Sequence, residues 1–328
     1  MKPTTMFKWI LFLSSLSAYV VHAQTVESPA AYPSRQIQLV VPYAPGGGLD
    51  TVMRQVAPRM SALLKQQIVV ENKPGGATVI ATDHVVKARP DGYTLLATGA
   101  PISLNQALGL KVPYDPLRDL EPIGLLVTLP GLILVSPQLS VKNMKQLVEM
   151  AKSKPGAMSF GSAGLGSIGH LGGALFAARA GISMQHIGYK GSAPALTDLL
   201  GGQIPVLIDA MIPSGAQVKA GRVIALAIAN STRSPLLPDV PTAAEAGYPG
   251  VEFAATFGMM APARTPPEIV AKVNQSLVEV LKMPDVRKQL IDMGYEVVGN
   301  SPAEYRAFIR SEIDIWTRIV RDNGIKMD

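Results

Sequence analysis

No cysteine occurs anywhere in the 328 residues. That absence excludes a disulfide framework and any chemistry that runs through a thiolate, and it leaves no residue behind a leader to which a lipid anchor could be attached. An excess of charge of one sign is also small. Thirty basic residues against 24 acidic ones give a formal +6, spread along the chain without the basic stripe that a nucleic-acid partner needs. The phosphate loop G-x-x-x-x-G-K-[ST] is missing, as is the G-x-S-x-G elbow of α/β-hydrolases. Beyond the N-terminus no apolar run is long and charge-free enough to span a bilayer, and neither a repeat nor a low-complexity segment is present.

What the N-terminus does have is an export leader. Lys2 and Lys8 give a positive start, Trp9 to Val21 is mostly apolar, and Val21-His22-Ala23 has the small-residue pattern of a cleavage site. Cleavage after Ala23 sends a soluble chain to the periplasm. Residues 24–32 then form a disordered lead-in. Without the leader the formal charge falls to +4, because residues 1–23 hold two lysines and no acid. That modest excess favours anionic ligands only weakly.

Strand-like and helix-like segments alternate through the rest, which argues for an α/β architecture. Ile37–Val41 reads as a strand, and Thr51–Gln67 as a helix that Pro58 should kink or split. Leu120–Thr128 and Leu132–Ser136 read as two apolar runs separated by Pro130-Gly131. Val251–Ala261 is extended. Thr265-Pro266-Pro267-Glu268 and Ser301-Pro302-Ala303-Glu304 both have the form of a helix cap followed by proline and glutamate. A mature chain of 305 residues is too long for one ordinary core and suits two domains.

Two glycine-rich turns join strands to helices. In the first, Val41-Pro42-Tyr43-Ala44-Pro45-Gly46-Gly47-Gly48-Leu49-Asp50, glycine allows positive φ and close approach to a ligand, and the helix start offers free N–H groups and a positive dipole end. Such a turn suits a carboxylate. Asp50 reads most simply as the N-cap, orienting the turn. The second turn, Gly164-Leu165-Gly166-Ser167-Ile168-Gly169, has G-x-G-x-x-G spacing, but the acid that would hold a nucleotide ribose is absent from the region of His186 to Lys190. It is a second backbone cradle flanked by Ser162 and Ser167, or else a tight turn with no ligand. Asp209 closes an apolar strand, as a turn residue or as a hydrogen-bond acceptor. His84, His170 and His186 stand isolated from one another and from acids, so neither a metal site nor a cofactor is expected.

With these residues in place the chain resembles the Bug family, the TctC-like solute-binding proteins of tripartite tricarboxylate transporters. The resemblance runs from about Pro33 to Asp328 on many motifs in order. Among them are Pro42-Tyr43-Ala44-Pro45-Gly46-Gly47-Gly48, Val70-Glu71-Asn72-Lys73-Pro74-Gly75, Pro90-Asp91-Gly92-Tyr93, Tyr189-Lys190-Gly191-Ser192-Ala193-Pro194 and Leu237-Pro238-Asp239-Val240-Pro241. It implies a two-domain periplasmic binding protein (Venus-flytrap) fold of α/β class with two interdomain crossings, near Leu129 and Val251. Domain 1 would be 33–128 plus 254–328, and domain 2 would be 129–253. It also implies a small organic carboxylate held in the cleft by Tyr43, Ala44, Pro45, Gly46, Gly47, Gly48, Asp50, Thr98 and Gly99 from one side. Ser162, Ala163, Gly164, Ser167 and Asp209 would hold it from the other. A monomer would deliver the solute to an integral membrane permease pair, without catalysis. A sensory subunit signalling to a membrane partner is the alternative, and a periplasmic hydrolase a weaker one that lacks a nucleophile–base pair. Leu49, Ala100, Ala210 and Thr256 replace groups that are more polar or aromatic in the family. The expected ligand is therefore a monoanionic or aromatic carboxylate in preference to citrate.

Overall fold

A computed structural model describes residues 30–323 and residue 325. The leader, its cleavage site and most of the lead-in lie outside the described residues. The lead-in ends earlier than expected. Tyr32 is buried, donates its hydroxyl to Gly92 O (2.8 Å) and packs edge-on against Tyr93. It belongs to the core because only burial uses an aromatic ring of that size.

The chain order is β1 (Ile37–Val41), α1 (Gly48–Leu64), β2 (Ile68–Asn72), a 3-10 turn (Gly76–Thr78), α2 (Val79–Val86), β3 (Thr94–Thr98) and α3 (Pro101–Ala107). Then follow β4 (Leu120–Val135), α4 (Met144–Ser153), β5 (Met158–Ser162), α5 (Ile168–Ala180), β6 (Met184–Gly188), α6 (Ser192–Leu200), β7 (Val206–Ala210), α7 (Met211–Lys219) and β8 (Ile224–Ala229). The chain closes with β9 (Ala254–Pro262), α8 (Pro267–Lys282), α9 (Pro284–Asp292), β10 (Glu296–Val297) and α10 (Pro302–Asp322). Helix α1 runs through Pro58 without being split; its apolar face, Val52, Val56, Met60 and Leu64, is held in the core. Burial of that face outweighs the one hydrogen bond a proline removes. Ser301 forms a full capping box with Glu304, whereas Thr265 does not cap α8: its hydroxyl donates to Pro262 O (2.7 Å).

Strand order is β2-β1-β3-β9-β4-β7-β5-β6, with β8 and β10 also on β4. Strands β2, β1 and β3 are parallel, as are β7, β5 and β6. The two expected apolar runs are one strand. Up to Pro130, β4 pairs with β9; from Gly131 it pairs with β7 and β8. The chain returns where Phe253 N donates to Ala229 O (3.1 Å) and Gly131 N donates to Phe253 O (2.9 Å), just before Ala254 joins β9. This is the expected two-domain α/β arrangement with two crossings, one along β4 and one through residues 251–253 just before β9. Glycine is required at the first crossing, since a Cβ on Gly131 would stand 1.8 Å from the Phe253 ring. The Pro-Gly pair is a turn signal in isolation, but here pairing on both edges of β4 keeps the backbone extended.

Apolar side chains fill both faces of the sheet. One cluster holds Val40, Leu96, Met260, Tyr305 and Ile309. Another holds Ile133, Val135, Phe176, Trp316, Ile319 and Val320. Helix α10 therefore begins in one core and ends in the other.

Candidate functional site

The first turn leaves β1 after Val41 and enters α1 at Gly48. Gly46 has φ +84°, the left-handed region that favours glycine, whereas Gly47 is extended (φ −72°, ψ 167°) and is the N-cap, with no side-chain cap. Asp50 is thus not the N-cap as expected but the third helical residue. It still shapes the turn. Buried to 2% exposure, its carboxylate accepts from Gly46 N–H (2.9 Å), Arg54 Nε (2.9 Å) and Asn72 Nδ2 (2.9 Å). Asn72 Nδ2 also donates to Tyr43 O (2.9 Å), so strand β2 ties both ends of the turn. Burial alone would push the Asp50 carboxyl up, but Arg54, the Gly46 N–H and Asn72 together hold it down at about 2. The residue is a charged strut beneath the turn, neutralised by Arg54.

The first intrahelical bond of α1 runs from Thr51 N to Gly47 O (2.9 Å), so the N–H groups of Gly48, Leu49 and Asp50 precede it. They sit at the positive end of a 17-residue helix. Tyr295 and Phe257 close this place, and Tyr43 stands against Gly99. A Cβ on Gly48 would lie 2.7 Å from the Tyr295 hydroxyl and 3.5 Å from the Phe257 ring, and one on Gly99 would lie 2.8 Å from the Tyr43 hydroxyl. Burial pushes Tyr43 up to about 12 and raises Tyr295, so both phenols are neutral donors. Tyr43 and Gly99 are therefore brought to the same place, while Thr98 turns inward: its Oγ1 bonds the buried Tyr305 hydroxyl at 2.7 Å. Tyr295 was missed by sequence reasoning. It has no motif of its own, and only the pairing of β10 with β4 brings it to the start of α1.

On the other side, Ser167 caps α5, its Oγ accepting from His170 N–H (3.2 Å). Ser167 Oγ donates to Ser162 Oγ (3.2 Å), which also accepts from Gly164 N–H (3.2 Å) and lies 2.7 Å from His186 Nε2. Ala163 O accepts from Gly191 N–H (2.9 Å), which fastens the turn to the start of α6. Gly169 is pressed onto β7, where a Cβ would stand 2.1 Å from Ile208 O, so the start of α5 lies beside Asp209. Asp209 is buried; its Oδ1 accepts from Ala210 N–H (2.9 Å) and its Oδ2 has no partner in the structure. Burial pushes its carboxyl up, and the Ser192 hydroxyl and the Ala210 N–H oppose the shift.

His170 and His186 are not isolated. Their rings stack at 3.8 Å and 11°. The fifteen residues between them hid this, since α5 returns antiparallel to β5 and delivers β6 beside it. The Ser162–His186 contact does not supply a nucleophile, because Ser162 is fully buried and its oxygen already accepts two hydrogen bonds.

The two halves meet through short contacts. Ile212, at the start of α7, lies 3.1 Å from where a Cβ on Gly294 would stand. Asn230 Nδ2 bonds the Glu296 carboxylate (2.8 and 3.0 Å). Between them lie an apolar cavity of about 370 Å³, lined by Met211, Ile212, Leu236 and Met293, and a more polar one of about 280 Å³ that reaches Tyr295. Neither is lined by residues 43–50.

A family model described as tripartite tricarboxylate transporter family receptor matches residues 52–325. The chain belongs to that family. The receptor is 37% identical to BugT of Bordetella pertussis (strain Tohama I) over 302 residues, 92% of this chain and 93% of that one. Among solved structures it resembles Rpa4515 of R. palustris with adipate (34% identity, TM-score 0.74, 90% of this chain and 99% of that one). It also resembles a TctC solute-binding protein from Polaromonas with no ligand (26% identity, TM-score 0.82, 89% and 99%). The ligand-free relative superposes better despite its lower identity. The receptor is thus of the periplasmic solute-binding TctC/Bug type, a family of binding proteins and not of enzymes.

Proposed function

We propose that this receptor captures a small organic carboxylate between its two halves and hands it to a tripartite tricarboxylate-type membrane permease pair. The observation that carries the reading is the start of α1, where three N–H groups precede the first intrahelical bond and the Tyr295 hydroxyl lies against Gly48. Backbone donors cannot lose their protons, so they serve a carboxylate at any neutral pH. Arg54 is committed to Asp50, which leaves the helix start to recognise the anion through dipole and hydrogen bonds. A ligand touching both Ala44–Asp50 and the Ser162–Ser167 turn would stabilise the closed arrangement, because only there does it contact both sides. The better superposition on a ligand-free relative supports an open starting form. The adipate carried by a relative supports the ligand class.

Phe257 beside Gly48, with Leu49 and Ala100 where more polar groups stand in the family, leaves few side-chain donors, and this favours a monoanionic or aromatic acid over citrate. The remaining expectations follow from the same reading: export by the leader with cleavage after Ala23, and action as a monomer. The test is a calorimetric titration of residues 24–328 with adipate, benzoate and citrate. Binding of any of the three supports capture of a carboxylate, and benzoate bound more tightly than adipate and citrate supports the preference. Tight citrate binding with none of benzoate would overturn the preference, and no binding of any carboxylate would overturn the function.

A further inference from the structure

The hydrogen-bond geometry of the second turn assigns the protons of two histidines. Ser162 Oγ has four neighbours: Gly164 N (3.2 Å), Ser167 Oγ (3.2 Å), Gly164 O (3.1 Å) and His186 Nε2 (2.7 Å). A hydroxyl donates one proton and accepts two. Gly164 N–H can only donate. Ser167 already accepts from His170 N–H, and its own proton points to Ser162. Both lone pairs of Ser162 are then filled, so no third donor can be received. The single Ser162 proton has two acceptors within reach, Gly164 O at 3.1 Å and His186 Nε2 at 2.7 Å; with both lone pairs filled, we read Nε2 as bare, receiving that proton over the shorter contact, with the ring proton on Nδ1. His170 is assigned the same way. Gly166 N–H donates to its Nδ1 (3.1 Å), so that nitrogen is bare and the proton sits on Nε2. Both imidazoles are neutral, and they lie face to face at 3.8 Å.

We propose that His170 and His186 are the positioning residues of the second turn: as a stacked neutral pair they each accept one hydrogen bond, from Gly166 N–H and from the Ser162 hydroxyl, and so hold the Ser162–Ser167 cradle in shape. Protonation of either ring replaces an acceptor with a donor and sets a cation against the face of its neighbour. The surroundings offer little compensation. Strand β5 and β4 beyond Gly131 have no charged residue, and β6 has only His186 itself. On β7 there is Asp209, whose Oδ1 is bonded to Ala210; on α6 there is Asp198, bonded to the Tyr189 hydroxyl, with Lys190 before it; on α10 the half-buried acid Glu312 is bonded to Trp316; α5 itself adds only Arg179, at its far end. No carboxylate pairs with either imidazole among the described residues. Burial, reinforced by His170, pushes His186 down to about 4, and burial lowers His170 as well. The cradle is therefore built to stay intact through mild acid and to fail only below it.

The test uses the protein without ligand, so it stands or falls separately from the carboxylate reading. Nitrogen-15 NMR of histidine-labelled protein at pH 7 should show His186 with its proton on Nδ1 and His170 with its proton on Nε2. The opposite tautomer or a cation at either ring overturns the proposal on the unmodified chain. In variants, H186Q and H170N keep an acceptor near the original nitrogen, whereas H186L keeps volume without one. Amide exchange at Gly164 should quicken about tenfold in H186L and stay within about threefold of wild type in H186Q. In the wild type the Gly164 and Gly166 amide signals should move together on acidification, and in the H170N/H186Q double variant that transition should vanish. Equal exchange in H186L and H186Q, or an unchanged acid transition in the double variant, would show that the rings only fill space.

Discussion

Replacing Asp50 by alanine should loosen the first turn more than any other single truncation there. Its carboxylate is buried and takes three hydrogen bonds, from Gly46 N–H, Arg54 and Asn72. Arg54 is half exposed and recovers solvation when its partner leaves, so its share is small. Asn72 Nδ2 keeps its bond to Tyr43 O. The uncompensated losses are the Gly46 N–H bond and half of the Asn72 interaction, each of the charge-assisted kind worth about 1.5–3 kcal/mol, which gives a net destabilisation of about 3 kcal/mol. At about 2.1 cal/mol/K per residue, 305 residues shift by about 1.6 °C per kcal/mol, so the melting temperature should fall by roughly 5 °C. Asp50→Asn should be nearly as costly, since an amide turns a donor either towards Gly46 N–H and Arg54 Nε, which share Oδ2, or towards Asn72 Nδ2 on Oδ1. Calorimetric melting with and without adipate reads both consequences, and the stabilisation by adipate should shrink because the turn no longer holds its N–H groups in place. An unchanged melting temperature, or a destabilised variant with full adipate stabilisation, would refute the account of Asp50 as the strut.

Other substitutions separate the three glycines. Gly46→Ala meets nothing within 4 Å but must hold φ at +84°, so it should cost about 1 kcal/mol in urea unfolding; Gly47→Ala, extended and 3.6 Å from Ala44 O, should be near neutral. Gly48→Ala forces its methyl against the Tyr295 hydroxyl at 2.7 Å, and adipate affinity by calorimetry should fall about tenfold, with partial recovery in the double variant with Tyr295→Phe. Acid should destabilise the chain in two stages. His186 has its folded value lowered from 6.5 to about 4, so the unfolded chain binds the proton first and stability drops by roughly 3 kcal/mol as pH falls from about 6.5 to 4. Asp50, lowered from 3.8 to about 2, contributes stability that is complete above about 4 and lost by roughly 2 kcal/mol as pH falls to 2. Urea midpoints across pH should show the first stage reduced in H186Q and the second in Asp50→Asn.

Much of this was legible in the chain. The run from Ile37 through three glycines to a helix declares a strand, a turn and an exposed helix start, because only glycine tolerates the backbone that joins them. The alternation of strands and helices declared the α/β class. What remained hidden depended on partners distant in sequence. Pro130-Gly131 reads as a break until strands on both edges hold it straight. Asp50 has the composition of a cap, but its geometry is set by Arg54 and by Asn72 on another strand. Tyr295 and the His170–His186 stack have no local pattern at all; the fold alone brings them to the turns.

Helix α10 has a mechanical consequence. Tyr305 and Ile309 are seated in one core, and Trp316, Ile319 and Val320 in the other. The halves are thus joined by a stiff rod wedged across the pivot as well as by two strands. If the two halves close on a solute as proposed, their rotation would slide side chains along that rod, a shear limited by the packing of α10 against both cores. Shortening the rod after Arg310 would remove Trp316, Ile319 and Val320 from the cluster that holds Ile133 and Val135, and would remove that limit with them.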